Sequence, residues 1–428
     1  MSRTSWEQRR RWERLEPPLL AQHQLARLNR LLQTVLPANR FYAEKLADVS
    51  LPFESLDQLA ELPFTRKDEL QQNGDGQSDY AANLTYPLSQ YVHFHRTSGT
   101  RGRPLVVLDT LEDWSWWIDT WQFVLDAAQL NEEDRALMAF SFGPFIGFWS
   151  AFDAAIARGA MVIPSGGLST MARLELARSS RCTAIFCTPS YALHMAQVAA
   201  QKQLDIAKWD VRTIIVAGEP GGSIPSMRQR IEDAWQAQVV DHSGASEVGP
   251  WGYADPEGQG LYVVESEFVA EFVSVDNGQT AADGELAELV LTTLGRYGSP
   301  LIRYRTGDLV RPNRDGPSDV RFVLLEGGVL GRVDDMMVIR GVNVFPSSVE
   351  RILHGFPEIV EYRLIAHKRG EMDAMTIEIE DRLEDPGRVA QELQLRLGLR
   401  VDVQVVPTGT LPRFEGKGQR FVDQRAQR

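Results

Sequence analysis

Thr97-Ser-Gly-Thr-Arg-Gly-Arg-Pro104 is a short run rich in hydroxyls and glycine, set between two apolar-patterned segments. Its residue types suit an anion. Gly99 and Gly102 let backbone N–H groups come close, Thr97, Ser98 and Thr100 add hydroxyl donors, and Arg101 and Arg103 add positive charge. Triphosphate is the natural guest of such a cradle. The flanks, residues 91–95 and 105–109, are rich in β-branched and aromatic side chains, so the run is expected to join strand to strand. That argues against a Walker-type loop, which needs Gly-Lys-Ser/Thr opening a helix. An ordinary surface turn has the same composition, and only other residues of the chain can decide between the two.

The chain that positions this run has 428 residues, too many for one ordinary core, so two or three domains are expected. Hydrophobic residues at 43% and charged residues at 24% are the proportions of a soluble globular protein and exclude wholesale disorder. Lys plus Arg is 45 against 58 Asp plus Glu, a formal net charge of −13. That balance disfavours nucleic acid and anionic membrane as partners and points to small molecules. Cys182 and Cys187 flank Thr-Ala-Ile-Phe without any disulfide framework, so reduced thiols are expected. Neither a membrane-length apolar run nor the apolar centre of a signal peptide is visible, and the expected location is cytoplasmic.

Residues 6–46 carry Leu25, Leu28, Leu32, Val35 and Leu36 at helical spacing, interrupted by prolines. Thr65-Arg-Lys-Asp68 reads as the capped start of a short helix with a packing role. A Trp-rich helix is expected over 111–128, with Trp114, Trp117 and Trp121 forming a core or interface stripe. From 136 to 240 strand-like and helix-like segments alternate with short connections, which predicts an α/β fold with a mostly parallel sheet flanked by helices. Ligands of such sheets sit at the carboxyl ends of the strands, here 140–147, 217–222 and 241–249. A β-rich subdomain is expected over about 261–331, and a small C-terminal α+β domain beyond it. The boundaries read as 1–333 and 334–428.

Several motifs in a fixed order carry a resemblance over nearly the whole chain. They are the 97–104 run, Ser55-Leu-Asp-Gln-Leu-Ala-Glu-Leu-Pro-Phe-Thr-Arg-Lys-Asp68, Cys187-Thr-Pro-Ser-Tyr-Ala-Leu193 and Gly218-Glu-Pro220. Further on come Gly244-Ala-Ser-Glu247, Pro300-Leu-Ile-Arg-Tyr-Arg-Thr-Gly-Asp308, Gly331-Arg-Val-Asp334 with its continuation to Pro346, and Glu415-Gly-Lys417. Together they resemble the phenylacetate–CoA ligase branch of the adenylate-forming superfamily.

The resemblance implies an AMP-binding adenylation domain over 1–333 and a mobile C-terminal domain over 334–428, with a hinge at Asp334. It implies nucleotide contacts from Thr97, Ser98, Gly99, Thr100, Gly102, Glu219, Pro220, Asp241, His242, Ser243, Asp308 and Arg332. The chemistry fits: an ionised Asp308 accepts hydrogen bonds from both ribose hydroxyls, and Arg332 offers a rigid fork for ribose or phosphate oxygen. Glu247 is the implied magnesium carboxylate, because a cation carrying triphosphate usually takes only one or two from the protein. Lys417, between two glycines, is the implied catalytic cation at the bridging oxygens. Phe140 and Phe145 look like the wall of an aryl pocket, with Ala217, Gly244 and Ala245 as further substrate contacts.

Three departures stand out. Ser243 replaces the aromatic that would lie against adenine, so either His242, Trp251 or another residue compensates or the nucleotide is held less tightly. Arg101 replaces a threonine, and Ala217-Gly218 inverts a common order. His242 and the cysteines match no standard zinc spacing.

The expected reaction is activation of an aryl or arylacetic acid by ATP to acyl-AMP and pyrophosphate, then transfer to the thiol of coenzyme A. ATP, magnesium and coenzyme A are the implied cofactors, and a homodimer is a family-level expectation. A carrier-protein thiol or an amine as acceptor has the same motifs. A nucleotide-binding protein without catalysis is the reading of another class; Lys417, Glu247 and Asp308 argue against it.

Overall fold

The computed structural model describes residues 4–71, 80–97, 104–144, 146–147, 149–255, 257–316, 318–333, 337–339, 342–369, 372–397, 399–413 and 420–425. The segments 91–95 and 105–109 form paired antiparallel strands, Tyr91–Arg96 and Val106–Thr110, so the anion-suited run lies between two strands.

Strands Met161–Pro164, Arg135–Met138, Ala184–Cys187, Thr213–Val216 and Gln238–Ala245 are neighbours in that spatial order and run parallel. Short runs of β-branched and apolar residues between helices can bury both faces, and these do. Leu137, Ile185, Ile214 and Val239 pack in one core with Tyr191, Met195, Ile231 and Trp235 of the helices Pro189–Gln201 and Pro225–Trp235. The alternate residues Ala136, Phe186, Ile215 and Val240 face the other core, under Trp117 and Trp121 of the helix Leu111–Ala127. The tryptophan stripe is therefore core. Strand order reverses at Arg135–Met138, and a ligand crevice opens at such a switch point beyond the carboxyl ends.

The β-rich stretch is not one subdomain. Its strands Gly260–Val263, Leu324–Glu326 and Pro312–Asn313 extend the large sheet, through Gly249–Ala254, to nine strands. Phe268–Ser274, Ala287–Thr293, Tyr304–Val310 and Gly331–Arg332 form a separate antiparallel sheet. Alternation within a strand says nothing about which sheet it joins. The helix Pro17–Val35 packs Leu28, Leu31, Leu32 and Val35 against Val269, Leu294 and Ile302 beside that second sheet.

The C-terminal part has its own core, in which Val349, Leu353, Leu364, Ile377, Val389 and Leu393 meet. Helices Pro346–His354 and Pro386–Leu397 accompany a sheet ordered Asp402–Val405, Met372–Asp381, Ile359–Arg369 and Phe421–Asp423. No helix among the described residues is long and apolar enough to cross a membrane. Cys182 and Cys187 are free and buried.

Candidate active site

Two chain segments, 217–222 and 241–249, leave the carboxyl ends of adjacent parallel strands. After Thr213–Val216 the backbone turns through Gly218, whose φ of +92° is left-handed and suits glycine. At Gly222 a Cβ would lie 2.5 Å from Asp241 Cγ, so only glycine lets the turn approach the next strand. Asp241 accepts from Ser223 Oγ at 2.5 Å and from the His242 N–H at 3.0 Å. Burial nevertheless pushes its pKa up to about 6.

Glu247 follows this strand and sits at the centre of a charged group. The carboxylate is buried, which alone would raise its pKa, yet Lys67 Nζ at 2.6 Å holds it below the ordinary carboxylate value. Tyr304 stands near the same carboxylate, and burial and the Glu247 charge together raise its phenol's pKa well above normal. Lys67 arrives there because Thr65 bridges to Tyr304, with Thr65 N–H donating to Arg303 O at 2.8 Å and Arg305 N–H to Thr65 O at 3.0 Å. Behind the group, Arg296 and Asp109 form a fully buried ion pair at 2.7 Å, and Arg296 also donates to the Glu247 carbonyl.

Asp308 and Arg332 are cross-strand partners, and Arg332 Nη1 donates to Asp308 Oδ1 at 2.8 Å. The Asp308 and Arg332 charges both act on Tyr304, so the pair belongs to the Glu247 neighbourhood. Thr97 is buried at the neck of its run: its Oγ1 accepts from Leu105 N–H at 2.9 Å, and its own N–H donates to Leu105 O at 2.9 Å. Arg96 N–H donates to Pro144 O at 2.6 Å, which ties this neck to the aromatic segment. There Phe140 and Phe142 have ring centroids 4.9 Å apart, and Phe142 meets Trp149 at 4.5 Å. These rings follow the switch-point strand.

Other expected contacts are placed differently. His242 is buried with its ring 4.1 Å from that of Trp121, and its Nδ1 is bonded to Gly252 O at 2.7 Å. Burial lowers its pKa to about 4, so it is neutral and donates from Nδ1. Trp251 is buried too, and neither ring is open to adenine. Glu219 Oε1 accepts from Ser190 N–H at 2.7 Å, and its other oxygen faces Arg420. Pro220, Ser243, Ala217 and Ala245 are half-buried and Gly244 is exposed, all at the strand ends. Ser98, Gly99, Thr100, Arg101, Gly102, Phe145, Asp334 and Lys417 lie outside the described residues.

The chain matches the AMP-binding enzyme family over residues 48–291 and the AMP-binding enzyme C-terminal domain over 341–425. It is 30% identical over 425 residues to the phenylacetate-coenzyme A ligase of Pseudomonas putida, covering 95% of this chain and 94% of that one. To the phenylacetate-coenzyme A ligase of Escherichia coli (strain K12) it is 33% identical over 390 residues, 87% of each. The chain belongs to the AMP-binding enzyme family. The fold of this AMP-binding enzyme is that of 2-hydroxyisobutyryl-CoA ligase in the postadenylation state with 2-HIB-AMP, at a TM-score of 0.90 and 23% identity over 99% of this chain and 94% of that one. Against the same ligase with CoA in the thioesterification state the TM-score is 0.73, at 24% identity and the same coverage.

Within this AMP-binding enzyme, the sequence reading gave Lys67 only a packing role. The helix it begins, Lys67–Leu70, is four residues long, and its side chain leaves that helix for Glu247. No local pattern could have shown this, because the Thr65–Tyr304 bridge is a contact between distant parts of the chain. Tyr304 and Arg296 were passed over for the same reason. Among the described residues no group of three or more His, Cys, Asp or Glu is arranged to hold a metal. One buried carboxylate suits a magnesium ion that arrives with a triphosphate, so Glu247 fits that expectation through a single ligand.

Proposed function

We propose that this enzyme activates an aryl or arylacetic carboxylic acid with ATP and passes the acyl group to coenzyme A. Acid–CoA ligation by adenylation is the coarser statement, and family membership with relatives at 30% and 33% identity carries it. The aryl preference is supported by the Phe140–Phe142–Trp149 cluster at the switch-point strand.

In the first step a carboxylate oxygen attacks the α-phosphorus, the Pα–O bond to the β-phosphate breaks, and pyrophosphate leaves. Negative charge grows on the phosphate oxygens, and fixed cations stabilise it best where water is excluded. Lys67 and Arg332 are two cations of this neighbourhood with partly exposed side chains. Asp308 and Arg332 would hold the ribose, the carboxylate accepting from its hydroxyls. Glu247 would hold magnesium, which supplies charge neutralisation on the phosphates. Lys417 is proposed as a further cation at the bridging oxygen. In the second step the sulfur of coenzyme A, having lost its proton, attacks the acyl carbon, the C–O bond to AMP breaks, and AMP leaves. Asp334 is proposed as the pivot between the two steps.

The test is product analysis after incubation with ATP, magnesium, coenzyme A and phenylacetate. Equal amounts of AMP and an acyl-CoA thioester are expected. AMP together with the acyl hydroxamate on trapping with hydroxylamine, but no thioester, would point to another acceptor.

A further inference from the structure

The expected nucleotide contact Glu219 has both carboxylate oxygens turned to protein. Ser190 N–H reaches Oε1 at 2.7 Å, and Arg420 Nη1 stands 3.7 Å from Oε2. Arg420 lies on the C-terminal part, immediately before the edge strand Phe421–Asp423, whereas Glu219 leaves a strand of the large sheet. The guanidinium is held from its own side by Glu361, with Nε to Oε1 at 2.6 Å and Nη2 to Oε2 at 3.2 Å. It also lies 5.3 Å from the ring centroid of Tyr362. All three charged side chains are secluded, with exposures of 12% for Arg420, 10% for Glu219 and 5% for Glu361.

The surroundings carry both signs, since the charges of Glu350, Glu219 and Glu361 act on Tyr362 along with that of Arg420. Arg230, on the helix Pro225–Trp235, acts electrostatically on His354 together with Arg420, and Arg382 acts on Arg230. Arg420 is paired from its own side by Glu361, and Glu219 is the large-domain carboxylate that faces it, so any rotation that carries Arg420 away breaks the contact.

We propose that Glu219 and Arg420 form an interdomain clasp, and that Arg420 is a positioning residue for adenylation, with Glu361 aiming its guanidinium. The clasp holds the small domain over the 217–222 segment, and its release accompanies the change to thioester formation. It gives Glu219 a docking role in place of a nucleotide contact. The proposal rests on the adenylation reading above, and one measurement separates the two. Ile156 and Leu383 are exposed, on the large and small parts respectively, and both native cysteines are buried. Spin labels on Ile156→Cys and Leu383→Cys would therefore report interdomain distance in the full-length protein by dipolar spectroscopy.

Glu219→Gln in that background should depopulate the principal distance about fivefold or more, the scale of a modest coupling between two states. Arg420→Lys, which keeps the charge but loses the fork, should give a smaller shift. Acid-dependent ATP–pyrophosphate exchange by Glu219→Gln should fall more than thioester formation from supplied phenylacetyl-adenylate. An unchanged distance distribution in Glu219→Gln overturns the clasp. So does an equal loss in both half-reactions at unchanged distance, which would return Glu219 to the nucleotide. If the unmutated protein shows no exchange with any acid, the adenylation reading fails, and the distances still decide the clasp.

Discussion

Lys67 Nζ and Glu247 Oε1 are 2.6 Å apart, and they bring the first hundred residues of the chain onto the turn that ends the Gln238–Ala245 strand. The ammonium is partly open at 41% side-chain exposure while the carboxylate is 9% exposed, so the lysine can reach a ligand without leaving its partner isolated in a dry core. Lys67→Met should lower the rate of ATP–pyrophosphate exchange by about tenfold or more, the scale of one lost charge-assisted hydrogen bond. Lys67→Arg should restore part of it.

The same substitution has a pH signature. Burial raises the Glu247 pKa, and it is held low chiefly by Lys67. A group with a depressed folded-state pKa contributes its stability above the unfolded value and loses it as pH falls through the folded one. Without Lys67 burial prevails, so the acidic limb of the exchange rate against pH should move to higher pH. An unmoved limb would mean that Glu247 does not titrate in that range.

Asp308→Asn should raise KM for ATP about tenfold while changing kcat less, because a ribose grip is made equally in ground and transition states. The partner Arg332, 2.8 Å from Oδ1 of Asp308, then keeps an acceptor but loses the opposite charge. A fall in kcat at unchanged KM would assign Asp308 to the chemical step.

Asp241→Asn tests a buried carboxyl whose pKa is raised by burial to about 6. Its proton is bound in the folded state and lost in the unfolded state between pH 4 and 6, so its contribution is complete at low pH and lost as pH rises through about 6. The asparagine variant cannot show that loss. Relative to the parent it should gain stability between about pH 4 and 7, by at most about 3 kcal/mol, as read from urea midpoints at several pH values. A pH-independent difference would show that Asp241 does not titrate in this window.

Phe142→Ala should reorder a panel of acids without abolishing exchange, since an apolar wall supplies about 1–3 kcal/mol of discrimination per group. Retention of the original ranking would make the Phe140–Phe142 pair ordinary core.

Much of the fold was legible. The short, nearly continuous apolar runs at 184–187 and 213–216, separated by helical runs, specify parallel strands because both faces must be covered. Sheet membership of the later strands was not legible, since Gly260–Val263 and Phe268–Ser274 both read only as strands yet join different sheets. At the site, Asp308 and Arg332 were named from motifs, and the structure places them as neighbours across two strands. Lys67 was missed because its position depends on the pairing of Thr65 with Tyr304. His242 was assigned towards the nucleotide by its position in a motif, but a strand alternates its faces, and this one turns the imidazole onto Trp121.

Adenylation of an aryl acid is tested by acid-dependent exchange of labelled pyrophosphate into ATP. Phenylacetate, benzoate and 2-hydroxyisobutyrate should be compared at equal concentration, with a control lacking acid. Exchange is expected with the aryl acids, strongest for phenylacetate, and none without acid. Absence of acid-dependent exchange would contradict adenylation itself, and exchange with 2-hydroxyisobutyrate alone would contradict the aryl pocket.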